Sequence, residues 1–458
     1  MARYVGQTAG EIAKAVRSGA ASARDVVAEH LELIAARDGA IGAFRTVLAE
    51  RALADADAVD ARADRADLPL AGVPVAVKDN LAVAGETLRD GSRAGSPDKA
   101  THDHEVVARL RAAGAVVVGI TNLPELSAFG TTDGAGYVTR NPWDLARTPG
   151  GSSGGAGAAV AAGFVPIAQG NDSMGSIRIP SACCGVVGLK PGLGVVPAHI
   201  GVNNWFGMGE NGPLATTVAD ALLAFDVMAG RREGESRMPA PGRLRIAVSR
   251  RSPLLGVFPD SDAKDGLLRA ARALVAAGHD AFTAGPPYPA WIIRAVVSRW
   301  FGGVAMDAET VDETLLQPRT RRHVDLGRRA IAHGFIREAD RDVWVALVEE
   351  MFSRYDVLIT PTLAGPPPAA ARWSERSWSA NVRVNARYAP YAAPWNFAGV
   401  PAMSVPAGIR SDGMPAAVQL VGAPGSEALL LAVAAQIEQR VPWQRHPAGA
   451  LAVEAPAS

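Results

Sequence analysis

Cysteine is almost missing from this chain of 458 residues: Cys183 and Cys184 are the only two, and they are adjacent. Neighbouring residues rarely reach disulfide geometry, so a disulfide framework is excluded and the pair reads as small buried thiols of a reduced, cytoplasmic protein. An excess of one charge is missing too. Lys plus Arg and Asp plus Glu both number 46, which leaves no basic footprint for nucleic acid and no acidic tail. No run approaches the ~20 bulky apolar residues of a membrane helix, and the mildest stretch, 156–168, is short and glycine-laced. The opening MARYVGQTAGEIAKAV has no apolar signal core before a cleavage site. Neither nucleic acid nor membrane is therefore an expected partner, and a small neutral molecule is. Lysine is the last scarcity: only Lys14, Lys78, Lys99, Lys190 and Lys264 occur, so a lysine in an apolar setting is informative.

What is present is material for a large core, with 48% hydrophobic residues. Thr8 with Glu11 three residues on, and Ser22 ahead of the amphipathic run ARDVVAEHLELIAARD, are helix starts. Leu48 to Arg65 reads as a further helix leading into LPLAGVPVAVKDN, a β-rich run that places Lys78 at the end of a buried strand. A helix, a glycine stop and the strand Ala115 to Ile120 follow, and the same grammar returns in Gly154 to Ala168, Leu244 to Arg250, Asp262 to Ala277, Asp356 to Thr362 and Ala416 to Gly422. No Pro-, Gly- or Ser-rich linker interrupts it and no internal repeat is found. The expectation is one α/β domain over residues 1–458, a twisted mixed, mostly parallel sheet covered by helices on both faces. The arginine-rich stretch 288–347, with Trp291, Trp300 and Trp344, reads as a helical insertion over one end of the sheet, and the terminal EAPAS as a frayed end.

Residues 148–191 pack glycine, alanine and serine together with almost no bulky side chain. Glycine lets main-chain N–H groups approach a ligand closely. A phosphate loop needs a lysine after its last glycine, and GGSSGGAG has none; a dinucleotide fingerprint must follow a strand, and GAGAAV follows a serine-glycine loop. Acyl transfer remains, in which a serine on a tight turn attacks a carbonyl and successive amides hold the oxyanion. DSMGSIR suits that work, with the amides of Ser173, Met174, Gly175 and Ser176 on one turn. A serine needs a base. The eight histidines include none in a small-residue turn, although a triad is assembled in space and the sequence leaves it open. His102 and His104 lack further ligands for a metal, so no metal and no cofactor is expected. Lys78 is the other base: burial would favour its neutral amine, while a lysine reaching water from a strand end is the plainer reading of that residue taken singly.

Taken together, VPVAVK, GITNLPELS, TRNPWDLARTPGGSSGGAGAAVAAG, NDSMGSIRIPSACCGVVGLKP, GPLATTVADALLAFDVMAG, DVLITPT, WNFAGVPAMSVPAG and GMPAAVQLVG resemble, in order, the blocks of the amidase signature family. The resemblance implies that family's fold, a signature core over about residues 70–220, and an insertion near 288–347 on the substrate side. It implies Ser176 as nucleophile, Ser152 as a bridging serine on a cis peptide bond, Lys78 as base, and Ser153, Asp172 and Arg178 in support. It implies hydrolysis of a small amide without a cofactor, and the aromatic residues of the less repeated segments favour an apolar or aromatic one. A glutaminase subunit of a tRNA-dependent amidotransferase, a carbamate or urea-derivative hydrolase, and a non-catalytic binding protein share the same blocks, and a homodimer is compatible with them. Phe129, Trp205, Trp300, Tyr391 and Trp395 are the expected pocket residues, with Phe206 and Tyr388 as further aromatics of the same segments. Two departures stand out: Met174 replaces a glycine common before the nucleophile, and Asn171 stands where serine or threonine is common.

Overall fold

Thr8 accepts a hydrogen bond from the Glu11 amide while the Glu11 carboxylate accepts one from the Thr8 amide at 2.8 Å, a closed capping box that starts the helix Ala9–Arg17. Ser22 caps the helix Ala23–Ile41, which Gly42 ends in the left-handed conformation. These contacts come from a computed structural model that describes residues 3–232, 238 and 241–452; the EAPAS end lies outside the described residues.

The strands of the described residues are β1 (Phe44–Val47), β2 (Pro74–Lys78), β3 (Val116–Thr121), β4 (Asp133–Gly134), β5 (Tyr137–Val138), β6 (Ile167–Asp172), β7 (Val187–Lys190), β8 (Glu210–Ala215), β9 (Arg245–Val248), β10 (Asp280–Thr283), β11 (Val357–Pro361), β12 (Ala402–Ile409) and β13 (Pro415–Gly422). β4 and β5 form a small hairpin, and the other eleven form one sheet in the order β1-β3-β2-β6-β8-β7-β12-β13-β11-β9-β10. The protein is thus a single large α/β domain around a mixed sheet. The expected predominance of parallel pairing holds only in the wings, where β3-β2-β6 and β11-β9-β10 run parallel. The five central pairs are antiparallel, and with β1–β3 at the edge six of the ten neighbouring pairs are antiparallel. The reason is local: a helix crossover is needed to lay strands parallel, and β12 and β13 are joined directly by the short turn at 410–414.

β2 and β6 lie side by side in parallel, with Val75 opposite Ile167 and Ala76 opposite Ala168. Their carboxyl ends therefore deliver Lys78 and the Asn171–Asp172 pair to the same edge, where ligands of parallel sheets bind. The helix Gly154–Ala161 comes to that edge from the side and is buried along its whole length. It can do so only because it is made of small residues. A Cβ on Gly155 would stand 2.5 Å from the Ala43 carbonyl oxygen and 2.6 Å from that of Asn122. Above the same edge the helices Ile292–Asp307, Pro318–Ala332 and Glu338–Arg354 pack into a second apolar cluster that includes Phe129, Trp205, Trp300, Trp344 and Trp395.

Because the Gly155 contacts are backbone atoms that cannot swing away, Gly155→Val is expected to destabilise the protein by about 1–3 kcal/mol or more. A thermal or urea melt beside the same change at exposed Gly39, where nothing lies within 4 Å, checks it.

Candidate active site

Lys78 is fully buried, and its Nζ donates to Ser152 Oγ at 2.7 Å and to Asn171 Oδ1 at 2.6 Å. The peptide between Gly151 and Ser152 is cis. Burial without a carboxylate in contact lowers the Lys78 ammonium from its ordinary value near 10.5 to about 7, against the opposing pull of Asp90 and Asp172. The other buried lysine, Lys190, is tied to the Pro191 carbonyl oxygen at 2.7 Å and is not among the residues lining the cavities at Ser176. Ser153 ties the serine loop to β6: its Oγ donates to the Asn171 carbonyl oxygen at 3.2 Å and accepts from the Asn171 amide at 3.3 Å, while its own amide donates to the Ser176 carbonyl oxygen at 3.1 Å. Lys78, Ser152, Ser153 and Ser176, far apart in sequence, are thus neighbours in space.

The turn that carries Ser176 is wound around the Asp172 carboxylate. Asp172 accepts from the amides of Gly175 at 2.6 Å, Ile177 at 3.2 Å and Arg178 at 3.4 Å, and from the Arg178 guanidinium at 2.9 and 3.0 Å. Asn396 Nδ2 adds a bond at 2.9 Å. Both ion-pair partners are wholly buried. Burial alone would raise the carboxyl, but the Arg178 charge and these bonds outweigh it and hold Asp172 far below the usual carboxylate range.

This winding changes the expected set of oxyanion donors. The Gly175 amide is already given to Asp172, so it is not available to an incoming oxygen. The amides of Ser173, Met174 and Ser176 donate no hydrogen bond among the described residues. The turn also accommodates the methionine. Its left-handed position falls on Gly175, with φ 115° and Ala392 Cβ 2.6 Å from where a Cβ would stand, whereas Met174 has no positive φ.

Two cavities meet at Ser176. One, of about 430 Å³, is the more polar of the two and is lined by Asn80, Asp90, Ser127, Ser152, Asn171 and Asp307, among others. The second, of about 150 Å³, is mostly apolar and is lined by Phe129, Met174, Trp205, Val296, Trp300 and Tyr388, among others. Of the expected pocket residues, Phe129, Trp205 and Trp300 line this second cavity. Tyr391 and Trp395 do not: Trp395 stacks behind the wall against Tyr288 and Trp344, and buried Tyr391 gives its hydroxyl to the Arg250 carbonyl oxygen. Trp395, on the short helix Ala393–Ala398, is part of the apolar cluster of the helical layer, and Tyr391 is buried just ahead of that helix. Phe206 is half-buried and lines neither. Ile293, Val296 and Val297, which share a helix face with Trp300, were missed, though their three-and-four spacing from that tryptophan is the signal that marks them. Asp90 and Asp307 carry no comparable signal. His104 caps the helix Glu105–Ala112 through its Nδ1, and no group of three or more His, Cys, Asp or Glu that could hold a metal exists among the described residues.

With this geometry established, known proteins give the context. The Amidase family model matches residues 25–431. AmiB2 of Mycobacterium tuberculosis is 41% identical over 445 residues, which cover 94% of this chain and 95% of that protein. The 6-aminohexanoate-cyclic-dimer hydrolase of Paenarthrobacter ureafaciens is 34% identical over 480 residues, covering 94% of each. A solved structure of a 6-aminohexanoate cyclic dimer hydrolase with substrate superposes with a TM-score of 0.88 at 30% identity, covering 97% of this chain and 99% of that one. A bacterial aryl acylamidase of the amidase signature enzymes gives 0.81 at 27% identity, over 96% and 97%.

Removing the carboxylate at the centre of the turn leaves Arg178 buried and unpaired. Asp172→Ala is expected to cost about 3–5 kcal/mol of stability, read from the midpoint of urea unfolding, and to abolish activity in whatever fraction stays folded.

Proposed function

The chain belongs to the amidase family and is a hydrolase of amide C–N bonds, and on that premise we propose that it works through an acyl-enzyme on Ser176, with Ser152 and Lys78 as the proton relay. The observation that carries this reading is the fully buried Lys78 amine 2.7 Å from Ser152 Oγ, beside a serine that opens on both cavities. Neutral Lys78 takes the Ser152 proton, Ser152 takes that of Ser176, and Ser176 Oγ forms a bond to the amide carbon. The carbonyl π pair moves to oxygen, where the amides of Ser173, Met174 and Ser176 are the free donors of the turn; such a donor can be worth ~3 kcal/mol. As the oxyanion collapses the C–N bond breaks, and Ser152 returns a proton to the leaving nitrogen. Water then repeats the attack on the ester, releases the acid and restores Ser176.

The substrate class follows from the walls. An apolar or aryl group of the amide fills the cavity of Phe129, Trp205 and Trp300, where Trp300 is held by its Nε1 bond to the Ala128 carbonyl oxygen at 2.9 Å. Trp205 is fixed by Asp307, which accepts from its Nε1 at 2.7 Å. That wall offers little to the polar side chain of glutamine, which favours a small-amide hydrolase over a glutaminase subunit.

Ammonia or amine release from a panel of aliphatic amides, aryl amides, a carbamate and glutamine tests the reading. Ser176→Ala is expected to lose activity by about 10³-fold or more, and normal turnover by that variant would sink the proposal. Because Lys78 acts as its neutral amine and titrates at about 7, kcat/KM is expected to rise from acid through neutral pH and then level off. A flat profile argues against lysine as the base. Trp300→Ala is expected to raise KM for aryl amides by roughly tenfold, or about 1.4 kcal/mol, with a smaller effect on acetamide.

A further inference from the structure

On its side away from Ser152, Lys78 begins a chain of hydrogen bonds that the relay does not use. Lys78 Nζ donates to Asn171 Oδ1 at 2.6 Å, Asn171 Nδ2 to Asn80 Oδ1 at 2.7 Å, Asn80 Nδ2 to Ser127 Oγ at 3.2 Å, and Ser127 Oγ to Asp90 Oδ1 at 3.2 Å. Every donor points the same way. The two ends compel it: an ammonium has only hydrogens to give and a carboxylate only lone pairs to receive, so each amide between them can stand in one orientation. Aligned in this way the four bonds polarise one another.

The backbone is bent to make the chain. Asp90 and Ser127 both lie in the left-handed region, at φ 46° and 55°, which costs a residue with a side chain free energy that glycine would not pay. Both are pinned there: the Asp90 amide donates to the Asp79 carbonyl oxygen, its carbonyl accepts from Leu126, and the Ser127 amide donates to Pro124. Asn171, the departure noted in the sequence, is the link that makes the chain continuous, since one planar amide accepts from Lys78 on one side and donates to Asn80 on the other.

We propose that Asp90 is a positioning residue for Lys78: through Ser127, Asn80 and Asn171 it fixes the direction in which the amine meets Ser152, and it supplies the counter-charge of the protonated amine. This rests on the assignment of Lys78 as the base. With one N–H held by Asn171, the lone pair of the neutral amine is left facing the Ser152 hydroxyl, the geometry that proton transfer needs. The other charges around the pair are otherwise engaged. Asp172 is neutralised by Arg178, Asp79 is paired with Arg45 at 2.9 Å, and Asp307 accepts from the Val202 amide and Trp205. Asp90 accepts only the neutral Ser127 hydroxyl; burial with Asp307 and Asp79 nearby raises its carboxyl, the Lys78 charge draws it back down, and Asp90 in turn favours the protonated amine. Losing its charge therefore lowers the affinity of Lys78 for a proton.

The scarcity of lysine makes a direct test practical. In the full chain labelled with 13Cε-lysine, five signals are expected, and Lys78→Arg identifies the one that belongs to Lys78. Asp90→Asn is expected to move the Lys78 midpoint to lower pH by about half a unit or more, to move the acid limb of kcat/KM with it, and to lower kcat. Ser127→Ala, which deletes one oxygen and no charge, is expected to lower kcat several-fold with a smaller shift in midpoint. An Asp90→Asn protein with an unmoved or raised Lys78 midpoint overturns the proposal, as does a Ser127→Ala protein with unchanged kcat. A loss of melting temperature without change in the midpoint also overturns it, since that is all a purely structural role would produce. The titration needs no turnover, so its failure is separate from that of the acyl-enzyme reading, which Ser176→Ala decides.

Discussion

The Asp172 carboxylate is the point on which the site depends. A buried ion pair is not by itself a source of stability, because two charges lose their water and regain it only as hydrogen bonds. Here both carboxylate oxygens are taken up: Arg178 bonds to each of them through its guanidinium, and the amides of Gly175, Ile177 and Arg178 close around them. What that arrangement provides is a fixed curvature. The turn before the helix Arg178–Cys184 can wind in one way, and Ser176 stands at its outer side as a result. Arg178 carries the constraint further, to the Gln419 and Asn396 side chains and the Ala392 carbonyl oxygen, so that β13 and the short helix Ala393–Ala398 are locked to the nucleophile turn.

Around that centre the fold brings three kinds of constraint to one edge of the sheet. Strand register sets Lys78 beside the end of β6. Small side chains let the helix Gly154–Ala161 enter. A helical layer with its own apolar cluster closes the top and leaves the aromatic cavity below it. The first two are backbone matters and the third is a matter of side-chain volume.

That division explains what could be read from the sequence. The helix starts at Thr8 and Ser22, the strand ending at Lys78 and the order of the serine blocks are local signals, and they were legible. So were Phe129, Trp205 and Trp300. The antiparallel centre of the sheet was not, because strand direction depends on how a connection runs and not on the strand's own residues. The engagement of the Gly175 amide was hidden for a similar reason: a motif tells which amides lie on a turn, but not which of them a carboxylate three residues earlier will claim. Tyr391 and Trp395 misled because an aromatic in a loop-rich segment looks the same whether it faces a cavity or a core. Asp90, Asn80 and Ser127 come together only through two left-handed residues that no periodicity announces.

The tight seating of the helix Gly154–Ala161 has an evolutionary consequence. Gly155 faces backbone carbonyls that have no room to yield, and Gly154 and Gly157 are closed in by Thr132 and Pro180, so drift in that segment is limited by space and hardly by chemistry. The wall formed by Ile293, Val296, Val297 and Trp300 is bounded on one side by the cavity, and side chains there can grow or shrink without disturbing the serines beneath. New substrate ranges are therefore accessible by substitution in one layer of the protein while the other stays as it is, a separation that lets a family diverge in what it cleaves and keep the means of cleaving it.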